Sequence, residues 1–350
     1  MAKIFKTITS DNITSTRTLL HENVPITGSI VSGSLYEGLN IKTYSHGMFE
    51  SVYDYPVLSS SANHLMDLTC GYYTGSAMNE DANEQNTKKV NIYGQMAQVL
   101  VGYDATGSVM PFDRDGDLSS GDKINEAYFV NLSRLLTKDE IRKGEFRLTM
   151  GTGSVFDDAN LPADTITLGD YGAADAYKSN SPAGDYAVLY TSSATPLEDG
   201  TSGVGLLYYQ AGIVVLTASF FFQTDGAVDI VMDADGNLID ALMEDTTIDA
   251  NSSAIRHRVV NLVFDNTIEL NSTIYFCNAN HNEFNYSSNP TYLSGSRIRV
   301  KENTQDAPSA YLTSVGLYSA DNELLATAKL SEPLKKEPSN SLTLRVRLDY

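Results

Sequence analysis

Two short acidic loops hold the densest oxygen chemistry in the chain. Asp233-Ala-Asp-Gly-Asn237 offers ligand-type oxygens at positions 1, 3 and 5, and Glu244 falls at position 12, the spacing of a calcium-binding EF loop. Position 6, where such a loop turns on glycine, is Leu238. Asp113-Arg-Asp-Gly-Asp117 opens in the same way but has Ile124 at position 12. Aspartates beside glycine also hydrogen-bond their own backbone in ordinary turns, and Asp235-Gly236 is a hairpin signature. Both loops read as hairpin turns, so no metal and no cofactor is expected.

Other catalytic constellations do not assemble in the sequence. The five histidines, His21, His46, His64, His257 and His281, stand apart from one another and from cysteine, with no zinc-type spacing. There is no Gly-x-Ser-x-Gly elbow and no phosphate-cradling Gly-Lys loop. His64 is expected as a satisfied, partly buried histidine on a helix. His257, between Arg256 and Arg258 and just ahead of Val259 and Val260, suggests the start of a strand rather than a general base. Cys277 follows Tyr275 and Phe276, an apolar strand context that leaves a thiol inert. No catalytic, cofactor-binding or metal residue is assigned, and the chain is not expected to be an enzyme.

Composition narrows the partners. The net charge of −20 argues against nucleic acid and acidic membranes, which need clustered Lys and Arg. Between Lys178 and Arg256 there are eleven Asp and Glu and no basic residue, a pattern read as a solvated outer face. Cys70 and Cys277 alone make no disulfide framework, which suits folding in a reducing cytosol. Met1–Ile8 lacks the apolar stretch of a secretory signal. The uncharged run Gly203–Phe222 is long enough to weigh as a membrane span. Its glycines and the cluster Ile213, Val214 and Val215 favour buried strands instead.

The elements that must position these residues are mostly strands. Residues 1–58 read as short strands and turns. Helices are expected over Ser59–Thr69, ended by Gly71, and over Asn86–Val101, where Val90, Tyr93, Ala97 and Val101 form one stripe. Thr137-Lys-Asp-Glu140 has capping-box spacing for a short helix stopping at Gly144. Ala127–Val130, Phe146–Met150, Asp185–Tyr190 and Leu206–Ala218 read as strands, Asp229–Asp240 as a hairpin, and helical periodicity vanishes over Gly151–Ala254. Gly169-Asp-Tyr171 recurs as Gly184-Asp-Tyr186, too short an echo for a repeat. The fold expected is α+β, predominantly β, with antiparallel, sandwich-like sheets and a few short helices. Its parts are a mixed N-terminal part (1–154), an acidic β-rich elaboration (155–257) and a β-rich C-terminal part (258–350) packed with the first.

The C-terminal residues carry the most specific wording. In Leu342–Asp349, Leu342, Leu344, Val346 and Leu348 alternate with Thr343, Arg345, Arg347 and Asp349, a strand with one buried face. Ser314–Leu330 reads as a hairpin turning at Asp321-Asn322. The wording from Val315 to Lys336, together with Thr18–Thr27, His46–Pro56 and Asn285–Ser296, resembles tail, baseplate and tail-fibre proteins of large contractile-tailed marine bacteriophages. That resemblance implies a non-enzymatic virion protein of the tail, baseplate or fibre-attachment region. It implies assembly in the host cytoplasm with other virion proteins, in symmetric multi-copy or homo-oligomeric form, and no nucleic-acid or membrane partner. The alternatives it leaves open are a neck, collar or head-decoration protein and a receptor- or glycan-binding tail module.

Overall fold

The computed structural model describes residues 5–32, 38–76, 83–152, 164–191, 202–222, 247–287 and 307–350, with 293–294, 297–298, 303 and 305. The fold is mostly antiparallel β with short helices. The chain forms two compact units, Leu20–Ile268 and a smaller one made of Met1–Leu19 with Glu269–Tyr350.

In the larger unit a seven-stranded antiparallel sheet runs in the order Tyr186–Leu189, Gly205–Tyr208, Ile213–Thr217, Glu126–Leu132, His64–Tyr72, Glu50–Tyr53, Ile41–Thr43. Its inner strands are near-continuous apolar runs because both faces are covered. The Gly203–Phe222 run supplies two of these strands, joined by a tight turn with Gly212 at φ 68°. No helix among the described residues is long and apolar enough to cross a membrane.

The helix expected over Ser59–Thr69 is instead the strand His64–Tyr72, with Leu65, Met66, Leu68 and Cys70 all buried. A short apolar run buried on both faces has no periodicity to separate strand from helix. Gly71, read as a helix stop, lies inside that strand. A Cβ there would meet the Lys89 carbonyl oxygen at 2.4 Å and the Tyr93 nitrogen at 2.9 Å, so glycine lets the helix Glu84–Leu100 lie directly on the strand. That helix begins where the side chain of Asn83 accepts the Asn86 amide at 2.7 Å, and it buries Ile92, Tyr93, Ala97 and Leu100, of which Tyr93 and Ala97 belong to the expected stripe.

Two further expectations are corrected. The residues Thr137–Glu140 do not open a helix: Arg134–Thr137 is the helix, Lys138 turns the chain at φ 55°, and Glu140–Ile141 pairs with Asn266 and Thr267. A further helix, Ile248–Arg258, stands in part of the stretch where periodicity was absent. It is capped by Thr247 and docked by polar bonds, Ser252 Oγ donating to the Leu68 carbonyl at 3.1 Å. Its buried side includes Asn251, Ser252, Arg256 and Arg258, which no apolar pattern reveals. His257 therefore lies in the last turn of a helix, and the strand expected to be entered there begins at Val259. The hairpin expected over Asp229–Asp240, with the Asp233–Glu244 loop, lies outside the described residues.

The N-terminal segment is not all short strands, since Ile13–Thr27 is a single strand of 15 residues. It neighbours the 21-residue strand Val259–Ala279. Side-chain bonds Asn12–Asn278, Ser15–Thr273, His21–Thr267 and Asn23–Asp265 show the two running in opposite directions. Both strands pass from one unit into the other. Within the smaller unit, Leu342–Asp349 pairs with Ser272–Ala279 on the side away from Ile13–Leu19, and Ala310–Tyr318 forms a hairpin with Leu324–Lys336. Asn322 holds the expected turn at φ 65°. The alternation of Leu342–Asp349 is present, but the strand lies at a sheet edge and only Val346 of its apolar side is buried.

Candidate functional site

The aspartates of Asp113–Asp117 sit at the mouth of a small hairpin, Phe112–Asp113 paired with Lys123–Ile124. Ile124, the residue at the twelfth position, is fully buried and cannot serve as a ligand. One carboxylate oxygen from each of Asp113, Asp115 and Asp117 lies within 4.8 Å of the others. Each already accepts hydrogen bonds from the turn itself or from Lys123. Asp113 accepts from Lys123 Nζ at 2.9 Å and from the Leu118 amide at 2.6 Å. Asp115 accepts the Asp117 amide at 3.0 Å. Asp117 accepts the Ser119 and Ser120 amides at 2.7 and 3.0 Å and the Ser120 hydroxyl at 2.9 Å, and these bonds hold its carboxyl well below the usual range. A cation would have to displace the Lys123 ammonium. The arrangement is a turn closed on its own backbone.

A second polar cluster joins Ser51, Asp67 and His64. Ser51 Oγ donates to Asp67 Oδ1 at 2.5 Å, and His64 Nε2 lies 2.8 Å from the same oxygen. Nucleophilic catalysis needs the imidazole between hydroxyl and carboxylate. Here the carboxylate stands in the middle, and Ser51 is almost completely buried. The bond to Asp67 raises the His64 pKa against a partial desolvation. His64 is thus satisfied and partly buried as expected, but on a strand.

Two buried carboxylates had no sequence signature. Asp170, fully buried, accepts the Gly144 and Phe146 amides, Arg147 Nη1 at 3.0 Å and the Tyr209 hydroxyl at 2.7 Å. Asp185 reaches the same turn through Lys143 at 2.6 Å. The aspartates of the two Gly-Asp-Tyr triplets thus both grip one turn, Lys143–Arg147, a role that a three-residue echo does not announce. Glu50, also buried, accepts from Arg256 Nε at 3.0 Å and Ser253 Oγ at 3.2 Å, tying the helix Ile248–Arg258 to the sheet. Burial raises the pKa of both Asp170 and Glu50 against these partners. Cys70 is fully buried and its thiol is pushed up to about 12 by desolvation, which leaves it inert. Burial also raises Cys277, in the strand Val259–Ala279.

The least ordinary feature is the surface of the smaller unit. The contiguous apolar core draws every member from between Ile26 and Phe264. In the smaller unit only Ala279, Ala310, Leu317 and Val346 are buried apolar residues among those described. Conversely, of the twenty exposed large apolar side chains among the described residues, twelve lie there, including Phe5, Phe284, Tyr286, Tyr311, Leu325 and Tyr350. Charge divides as sharply. The smaller unit carries eleven Lys and Arg against ten Asp and Glu, net +1, while the larger carries thirteen against thirty-four, net −21.

No protein-family model, curated protein or solved structure matches this chain.

Proposed function

We propose that the chain is a non-enzymatic structural component of a tailed-phage virion, of the tail, baseplate or fibre-attachment region, acting through subunit assembly. The observation that carries the assembly part is the smaller unit, which among its described residues holds twelve exposed large apolar residues and four buried apolar ones. A unit of about a hundred residues ordinarily buries well over half of its unfolded surface. A unit with so few buried apolar side chains gains stability by covering its exposed ones against a neighbour, and exposed apolar surface of this kind marks such contacts. The placement in a phage tail rests on the wording of Val315–Lys336 and the other segments named above. A glycan-binding module is the second reading, favoured by exposed Tyr286, Tyr311, Tyr318 and Tyr350.

The test is incorporation. Deleting Leu342–Tyr350 strips the strand that pairs with Ser272–Ala279 and exposes that edge. The truncated chain is expected to be insoluble or excluded from particles in infected cells, while the full chain is located at the tail by labelled antibody. Soluble truncated protein that still enters particles overturns the proposal, and glycan-array binding by the full chain would favour the second reading.

A further inference from the structure

Resting on the assembly reading, we infer that the smaller unit binds a second copy of this chain, edge to edge through the strand segment Ile13–Leu19. Three observations single out that segment. First, its outer edge pairs with nothing among the described residues, because the only neighbour of Ile13–Thr27 is Val259–Ala279. Every residue from Ile13 to Asn23 is exposed, so both faces as well as the edge stand in water.

Second, the edge is unguarded. Sheet edges are normally protected by lysines, prolines or bulges that discourage pairing. The opposite edge of the same sheet, Leu342–Asp349, carries Arg345, Arg347 and Asp349 on its exposed positions. Ile13-Thr-Ser-Thr-Arg-Thr-Leu19 has one charge, and Arg17 is already paired with Glu269 of the neighbouring strand.

Third, the segment complements itself. In an antiparallel pairing centred on Thr16, Ile13 faces Leu19, Thr14 faces Thr18, Ser15 faces Arg17 and Thr16 faces Thr16. Aliphatic pairs at the ends and threonine pairs on one face are favourable cross-strand combinations, and no like charges oppose. A two-fold axis through Thr16 is the commonest symmetry for such a contact.

Area and charge favour a copy of the same unit over the rest of the surface. Six rings of the smaller unit, Phe5, Phe284, Tyr286, Tyr311, Tyr318 and Tyr350, are 40% to 75% exposed. At about 200 Å² per ring they leave on the order of 600 Å² in water, against the roughly 800 Å² that each partner buries in a standard interface. At net +1 this unit meets its twin with little repulsion, whereas two larger units at −21 repel.

The test is a charge swap in the full chain followed by sedimentation velocity. Wild type is expected to be dimeric at up to about 100 µM, with a concentration-dependent dissociation. Thr16→Lys and Thr16→Glu each place like charges opposite one another and should weaken the dimer roughly fivefold, while a mixture of the two restores it as a heterodimer. The double variant Thr14→Glu/Thr18→Lys creates two complementary pairs and should tighten it. Circular dichroism confirms that each variant folds.

A monomeric wild type overturns the inference, and so does an equal effect of the single variants in the mixture. Dissociation by high salt also overturns it, because that would mean docking onto the acidic unit. A chain monomeric in solution that still enters particles sinks this inference alone; a dimer that never enters particles sinks the assembly reading instead.

Discussion

His64 and Asp67 illustrate how a pair suggestive of catalysis works as a brace. Asp67 takes the Ser51 hydroxyl and the His64 ring on one oxygen, so strands Glu50–Tyr53 and His64–Tyr72 are linked across their side chains. Because Asp67 raises the folded pKa of His64 above its ordinary 6.5, the protonated ring binds better in the folded than in the unfolded chain. The stability it adds is fully present below pH 6.5 and is lost as pH rises through the folded value. His64→Asn should remove that component, about 0.5–1 kcal/mol. Urea midpoints at mildly acid and mildly alkaline pH measure it: the difference between the two should shrink in the variant, and an unchanged difference would assign the pH dependence elsewhere. Asp170 gives a larger effect. Asp170→Ala leaves the buried Phe146 amide, the part-buried Gly144 amide and the Tyr209 hydroxyl without their acceptor, an expected loss of about 3 kcal/mol or more seen as a lower melting temperature. A melting temperature unchanged by the substitution would show that the Lys143–Arg147 turn holds itself.

At the scale of elements, legibility followed the number of exposed faces. The helix Glu84–Leu100 and the hairpin around Asp321-Asn322 were readable because each keeps a wet side, so polar and apolar positions separate by period. His64–Tyr72 was misread because it is buried on both faces, so its sequence carries no alternation. Ile248–Arg258 was missed for the opposite reason: it docks through Ser252, Arg256 and other polar groups, so its buried side looks solvated. Buried Glu50 and Asp170 were invisible for the same cause, since a lone carboxylate carries no spacing. Gly71 is the sharpest test of the packing that replaced the misreading. Gly71→Ala pushes a methyl to within 2.4 Å of the Lys89 carbonyl, where helix and strand backbones meet and neither side can bend away cheaply. We expect destabilisation of about 1–3 kcal/mol, with the seven-stranded sheet still formed by circular dichroism. A variant as stable as the parent would mean that the helix can lift from the strand at no cost.

For the whole molecule, the separation of charge from exposed apolar surface decides how it should respond to its solvent. The acidity was legible in the sequence. Its concentration in one unit was not, because the smaller unit joins the two ends of the chain and no linear window spans both. Thirty-four carboxylates against thirteen basic groups in Leu20–Ile268 make self-repulsion a standing cost of that fold. Many basic groups there are already spent in close pairs, among them Lys123 with Asp113, Lys143 with Asp185 and Arg256 with Glu50. Those pairs are short and partly or wholly buried, so salt weakens them little; the acidic excess that remains repels itself over longer range, which salt does screen. At about 0.01 M ionic strength the screening length is about 30 Å, wide enough for the repulsion to act across the unit, and at 1 M it falls to about 3 Å. Added sodium chloride should therefore raise the calorimetric melting temperature of the full chain, most steeply at the low end of that range. The near-neutral unit contributes nothing to the rise, so replacing its exposed Lys335 or Arg345 with Gln should leave the salt slope unchanged. A melting temperature that falls with salt would mean that attraction between surface pairs outweighs the repulsion, and the acidic face would then have to be counted among the forces that hold the larger unit together.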